Sequence, residues 1–358
     1  MSETPCGFAR TPEKGLARLH WNTGAWAVEG GPPEVPELRP LRGLEVEWPE
    51  REVPLDGLMR LAAAGVPLTA ADAPAWVPAG LAALLTDRDW LAHPADGTAR
   101  SLADLRREEH SVRLRRLAHP TAIPHVSIVM ATKRPAMVPA ALAQMERQRD
   151  VVAEVLLGLH GVAFDEVREA VGSCALPVRH VEADASVPFG EVLNQAAALA
   201  ECDYLAKWDD DDWYGPPPPG RPVHGADVRG GADVVGTTAE FFYLEPLEAT
   251  IRRTTFASGA SYPSEVHADH VAGGTIMVSR SKFHDIGGYP ALPRAVDLEF
   301  LKAAKSADAR IYRTHGLGYV LRRGLSGEHT WQLPLAHFLK VAANQWRGFR
   351  PSLLMEAA

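Results

Sequence analysis

Cysteine is scarce in this chain, with three (Cys6, Cys174 and Cys202) in 358 residues. Three scattered thiols cannot build a disulfide framework or a structural zinc site, and ordinary reduced cysteines are expected. Long apolar runs are lacking too. No stretch reaches the ~18–20 residues that a membrane-spanning helix needs, and the opening MSETPCGFAR has no apolar core of a signal peptide. These absences predict no membrane span and a cytoplasmic location. Basic charge is in deficit, with 37 basic against 45 acidic residues and a formal net charge of -8. That disfavours nucleic-acid binding, which needs a basic face to neutralise phosphates. Binding one nucleotide is not disfavoured, because a bound metal can supply positive charge.

What remains is ordinary globular composition, 46% hydrophobic and 23% charged, enough for one large domain or two of typical size. No internal repeat is present. Residues 1–30 show little periodicity and read as a loose arm. LEVEWP (44–49) alternates as a strand does, LDGLMRLAAAG (55–65) has helical spacing, and VPLTAAD (66–72) reads as a second strand. A helix is expected around Gly80 to Leu85, and another over 101–119 with Ser101 as N-cap. The prolines of PTAIP (120–124) mark a boundary. Residues 1–119 are thus an accessory α/β region of about two strands, 120–335 a larger domain, and 336–358 a helical tail.

The larger domain opens on HVSIVMAT (125–132), the strongest strand in the sequence. Helix 135–149, strand 154–161, a helix over 164–171, strand 177–183, a helix near 190–200 and strand 203–209 follow. Such alternation predicts an α/β fold with a mainly parallel sheet between helices. Ligands of such sheets bind beyond the carboxyl ends of the strands. The run Asp209-Asp210-Asp211-Asp212 falls at one of those ends. In an extended chain Asp209 and Asp211 would face one way, and Asp210 and Asp212 the other. Two like charges about 6 Å apart repel by roughly 3 kcal/mol at an effective dielectric of 20. The run therefore calls for a cation among its carboxylates. Oxygen ligands favour Mg2+ or Mn2+, which bind one or two carboxylates together with substrate phosphates. A solvated acidic turn is the plainer alternative.

YLAKWDDDDWYGP (204–216) resembles the D-x-D-D segment of family 2 glycosyltransferases, enzymes of the GT-A fold that use nucleotide-diphosphate sugars. The resemblance spans roughly residues 125–335. VSIVMAT matches the family's first strand, FGEVLNQAAALA the helix before the metal motif, and GADVVGTTAEFFYL (231–244) the segment after it. HVAGGTIMVSRSKFHDIGGYP (270–290) matches the acceptor side, and RAVDLEFL (294–301) stands in the place of the Glu-Asp motif. The resemblance implies a GT-A domain that transfers a sugar, with inversion, from a nucleotide-diphosphate sugar to an acceptor hydroxyl. A UDP-sugar is the first donor to expect, and the acceptor is a glycan, a peptide or a small molecule.

It also implies roles. Asp211 would ligate Mn2+ or Mg2+ directly, and Asp209 the ribose or the metal's water, with His329 as a third ligand and His315 its competitor. Asp210 and Asp212 would hydrogen-bond locally. Asp297 would be the general base, with a helix-capping role as the alternative. The family's preceding Glu is replaced by Val296, and Glu299 is the nearest substitute. Thr132, Lys133 and Arg134 follow the first strand where a nucleotide should lie, with Asn194, Asp210, Gly273, Gly274 and Thr275 also on the donor side. Gly287 and Gly288 read as a turn, and Trp213 as a sugar-stacking candidate. His160 stands where the family has an acidic residue, so the base is not specified. The prolines 216–219 rule out the helix common there and predict an extended loop. By analogy the N-terminal unit would dock a partner or form a homodimer. Two other functions fit the same motifs: a non-catalytic nucleotide- or sugar-binding scaffold, and a nucleotidyltransferase.

Overall fold

The computed structural model describes residues 12, 14–29, 31–92, 94, 97–118, 123–216, 231–255, 263–324 and 334–356. The chain divides into two compact units, Met1–Thr121 and Ala122–Ala358. No helix among the described residues is long and apolar enough to cross a membrane.

The first unit contains β1 (Lys14–Asn22), β2 (Ala25–Ala27), α1 (Val35–Leu38), β3 (Leu41–Glu47), α2 (Asp56–Ala63), β4 (Leu68–Thr69), α3 (Ala79–Thr86) and α4 (Gly97–Ala118). Its sheet has four strands in the order β2-β1-β3-β4, not two. The supposed arm supplies β1 and β2, and β1 runs parallel to β3 from Lys14 to His20. Ala17, Leu19 and Trp21 of β1 alternate with Arg18, His20 and Asn22 and pack on the core of this unit, the period-two signal of a strand that the reading as a loose arm overlooks. Ser101 lies inside α4 and does not cap it; its hydroxyl donates to the Thr98 carbonyl (2.8 Å). Arg107 of α4 donates to the carbonyls of Arg42 (2.5 Å) and Leu41 (2.8 Å), fastening the helix to β3. Burial pushes the Arg107 guanidinium down to about 10, still charged at neutral pH.

The second unit begins with β5 (His125–Thr132), α5 (Val138–Glu146), β6 (Val152–His160), α6 (Arg168–Ser173), β7 (Val178–Ala183), α7 (Phe189–Ala197), β8 (Tyr204–Lys207) and β9 (Trp213–Tyr214). It continues with β10 (Val234–Thr237), β11 (Phe241–Leu244), β12 (Ala249–Arg253), β13 (Val266–His267), β14 (Met277–Ser279), α8 (Arg280–Ile286) and α9 (Val296–Ser306). Last come β15 (Ile311–Thr314), β16 (Tyr319–Arg323), α10 (Leu335–Lys340), β17 (Ala342–Arg347) and α11 (Leu353–Glu356).

Eight strands form the main sheet in the order β13-β15-β10-β14-β8-β5-β6-β7. β5, β6, β7 and β8 are parallel, and β13 and β14 run against the rest. Every residue of β5 after His125 is buried, as a parallel strand covered on both faces requires. Val126, Ile128 and Met130 face α5 and a second sheet, while Val129 and Ala131 face α7, α8 and α9. The architecture is the mixed, mainly parallel α/β sheet between helices that the GT-A resemblance implies. The second sheet, β17-β12-β11-β16-β9, lies beside it. The expected helical tail contains β17, paired with β12. Its apolar content is too low to announce a strand, since Trp346 alone is buried.

Glu154 ties the parallel strands together at the edge opposite their carboxyl ends. Its carboxylate accepts from the Ser127 hydroxyl (2.5 Å) and the Glu201 backbone N–H (2.8 Å), and pairs with Arg179. Burial alone would raise its pKa, but these hydrogen bonds and the Arg179 charge outweigh burial and hold it at about 2. A folded value below the unfolded ~4.3 means that stability is full above that pH and is lost as pH falls toward 2. Glu154→Gln should cost about 1–3 kcal/mol at pH 7 and flatten the acid limb of a stability-against-pH curve measured by urea unfolding. An unchanged acid limb would contradict this assignment.

Candidate active site

The four aspartates follow β8 directly, at the carboxyl edge, but they form a turn instead of an extended strand. The alternation expected of them therefore fails. Asp209 turns to Lys207, whose ammonium lies 2.6 Å from its Oδ1. Asp210 and Asp211 both turn to Arg134. The guanidinium pairs with Asp210 through Nε (3.2 Å) and Nη2, and with Asp211 Oδ2 through Nη1 (3.0 Å). The Thr132 hydroxyl also donates to Asp210 (2.5 Å). Asp212 points into the second sheet, accepting from the Tyr319 hydroxyl and the Arg322 backbone N–H (3.0 Å). Its partners are distant in sequence, not local.

The electrostatics follow from this division. Burial would lower the Arg134 pKa, but the hydrogen bond and charge of Asp210, with Asp211 behind it, raise it instead. Burial raises Asp210, and the Arg134 contact opposes it. Burial and the Asp211 charge push Asp212 above the usual carboxylate range. The cations that the run requires are thus partly supplied by the protein itself.

Two tyrosines brace the turn, and sequence reasoning did not single out either. The Asp209 backbone N–H donates to the Tyr214 hydroxyl (2.8 Å), which donates to the Gly274 carbonyl (2.9 Å). Tyr319 stands opposite Tyr214 in the antiparallel pair of β9 and β16. The Tyr214 ring also stacks on Trp208, with centroids 3.8 Å apart. The pairing of the second sheet is what brings Tyr319 to this turn.

Asp297 enters from the first turn of α9. The helix N-cap is Ala295, and no side chain caps it, so the capping alternative for Asp297 is not realised. The Asp297 carboxylate instead faces Lys207, with Oδ1 3.2 Å from the ammonium. Burial raises the Asp297 pKa, the Lys207 charge lowers it, and the Asp209 charge adds to the rise. Burial would discharge Lys207, but the charges of Asp209 and Asp297 outweigh it and keep the ammonium protonated. Gly273 and Gly274 line this cluster closely. A Cβ on Gly273 would sit 2.3 Å from Asp297 Oδ2, and one on Gly274 would sit 2.7 Å from Asp209 Oδ2.

Other expected site residues lie elsewhere or serve the fold. Asn194 spends both ends of its amide on the Tyr289 backbone, donating to its carbonyl (2.8 Å) and accepting from its N–H (2.8 Å). It latches α7 to the Gly287–Gly288 turn, where both glycines have positive φ. The Thr275 hydroxyl donates to Ala272 (2.9 Å) and accepts from the Thr237 N–H (2.9 Å), in the buried core. Glu299 pairs with Lys302 (2.7 Å) on the exposed side of α9, and Val296 packs into the core. Trp213 faces away from the aspartates, against Tyr243 and Phe349. The His160 Nε2 contacts the Ala185 carbonyl (3.2 Å), and burial with the nearby Lys133 charge lowers its pKa. Lys133 itself is exposed. His315 Nδ1 accepts from the Leu317 N–H (3.3 Å). His329 and prolines 217–219 lie outside the described residues.

Among the described residues no three His, Cys, Asp or Glu side chains are grouped to hold a metal ion. The donor chemistry of Asp209 and Asp211 nonetheless suits Mg2+ or Mn2+, which need only one or two carboxylates when phosphates complete the shell.

No protein-family model and no curated protein sequence matches the chain. Solved structures do. A mannosyltransferase from Pyrobaculum calidifontis, in complex with GDP-Man and Mn2+, aligns at a TM-score of 0.41 and 16% identity, covering 58% of this chain and 59% of that one. TarS of S. aureus (residues 1–349), in complex with UDP-GlcNAc, aligns at a TM-score of 0.42 and 15% identity, covering 61% and 64%. The chain thus spans less than two thirds of either structure.

Proposed function

We propose that this chain is a glycosyltransferase of the GT-A kind, moving a sugar from a nucleotide-diphosphate donor to an acceptor hydroxyl. One observation carries the reading. Asp209, from the end of β8, and Asp297, from the start of α9, converge on one buried lysine beside a Gly-Gly segment with no side chain to fill the space. A donor-side carboxylate and a candidate base thus meet at one lysine at the carboxyl edge of the sheet. The motifs of family 2 stand in the same order along the chain, which supports the same reading.

In the proposed reaction the acceptor oxygen attacks C1 of the sugar while its proton passes to Asp297. The new C1–O bond forms as the bond from C1 to the diphosphate breaks, and the diphosphate leaves with the electron pair. Single displacement inverts C1 and needs no covalent intermediate. A carboxylate whose pKa is raised by burial is better matched to this task than an exposed one. Thr132, Lys133, Arg134 and His160 lie at the ends of β5 and β6, on the donor side. Arg134 is placed to meet the diphosphate, as a planar guanidinium does well. A divalent cation held at Asp211 and Asp209 would supply charge stabilisation to the leaving group.

A thermal-shift screen of UDP, GDP, ADP and CDP, with and without Mn2+, tests the donor site. At least one should stabilise the protein in a Mn2+-dependent way, by about 2.7 kcal/mol at a hundredfold excess over Kd. Asp211→Asn should abolish the Mn2+ dependence. No metal-dependent shift with any of the four would count against the proposal.

A further inference from the structure

Lys207 ends β8 with its side chain 2% exposed, although it is a charged residue. Burying an ammonium is costly unless it is paired. A single carboxylate would suffice for that, yet Lys207 engages two, from separate elements: Asp209 at 2.6 Å and Asp297 at 3.2 Å. The Tyr289 ring is the remaining ionisable neighbour on that side.

The two oxygens of Asp297 differ. Oδ1 is buried without a hydrogen bond of its own and lies 3.2 Å from the Lys207 ammonium as an ion pair. The side chain as a whole keeps 31% of its surface open, so Oδ2, beside Gly273, is the oxygen that a substrate can reach. We infer that Lys207 is a positioning residue for transfer: it fixes Oδ1 of Asp297 and so presents Oδ2 to the acceptor hydroxyl. The same ammonium holds Asp209, and thereby sets the donor-side carboxylate and the base at a fixed separation. This inference rests on the reading of Asp297 as the base.

The test uses the full chain with a panel of UDP- and GDP-sugars and Mn2+. Lys207→Met should lower kcat about 100-fold, as a misplaced catalytic group does, and because the same ammonium holds Asp209 the donor KM should rise too, by less than kcat falls. A kcat within threefold of wild type, or a loss carried wholly by KM, would overturn it. If the Met variant does not fold, Lys207→Gln is read in the same way. A crystal structure of the folded variant gives a second readout, independent of turnover. The Asp297 carboxylate should leave the position that it holds in the wild type, and an unmoved carboxylate would overturn the inference. A wild type without any turnover contradicts the base reading instead, and the crystal structure still decides the positioning role.

Discussion

Asp297→Asn should reduce kcat by about 10²–10⁴-fold, the range that general-base catalysis contributes. The substitution preserves shape, removes the ability to take a proton, and leaves Lys207 with Asp209 as its remaining carboxylate partner. Nucleoside diphosphate binding should stay within about threefold of wild type, because Asp297 is assigned to the acceptor and not to the donor. Steady-state kinetics and calorimetric titration of the nucleotide separate the two effects. A variant that transfers at the wild-type rate would remove Asp297 from the mechanism. A variant that lost nucleotide binding as well would place it on the donor side.

Gly274→Ala should do nearly as much damage by a different route. Its new Cβ would lie 2.7 Å from Asp209 Oδ2, 2.8 Å from the Tyr319 hydroxyl and 2.9 Å from the Tyr214 hydroxyl. Both tyrosine rings are buried, and Asp209 is held by Lys207, so no flexible end can yield cheaply. Overpacking of this kind costs about 1–3 kcal/mol. Displacing Asp209 and the tyrosine brace should also cost about 100-fold in kcat. Thermal unfolding and initial rates read the two losses on the same sample. Wild-type stability and rate together would show that the cleft has room which the geometry denies.

Sequence reasoning reached the main sheet and the aspartate run for physical reasons. The continuous apolar stretch of β5 announces a strand buried on both faces, and four adjacent carboxylates at a strand end demand compensation. What compensates them was not legible. Lys207 sits in an apolar strand, where a lysine reads as a residue reaching for solvent, and Asp297, its second partner, is far away in sequence. Arg134 was noticed as a phosphate candidate, yet its binding of both Asp210 and Asp211 depends on a turn that strand alternation did not foresee. Tyr319 meets the aspartates only through the pairing of β9 with β16, whereas Tyr214 reaches Asp209 from five residues away. Asn194, which the resemblance places on the donor side, has both ends of its amide on the Tyr289 backbone, a partner too distant in sequence to foresee. β1 is legible in the sequence, since Ala17, Leu19 and Trp21 alternate with Arg18, His20 and Asn22.

The metal is the part of the reading that the structure has refined most. Four carboxylates alone suggested a ready cation site. With Lys207 and Arg134 among them, Asp209, Asp210 and Asp211 already have protein cations beside them. Under the proposed function, a divalent ion at Asp211 would compete with Arg134, and a diphosphate that took up the Arg134 guanidinium would free Asp211 for the ion. Metal affinity without nucleotide should accordingly be weak.

The most direct measurement is product mass after incubation of the full chain with UDP- and GDP-sugars, Mn2+ and a set of hydroxyl acceptors. The account predicts release of a nucleoside diphosphate and an acceptor heavier by one anhydro-sugar unit. An acceptor heavier by a nucleotide, or no release of nucleoside diphosphate from any donor, would contradict it.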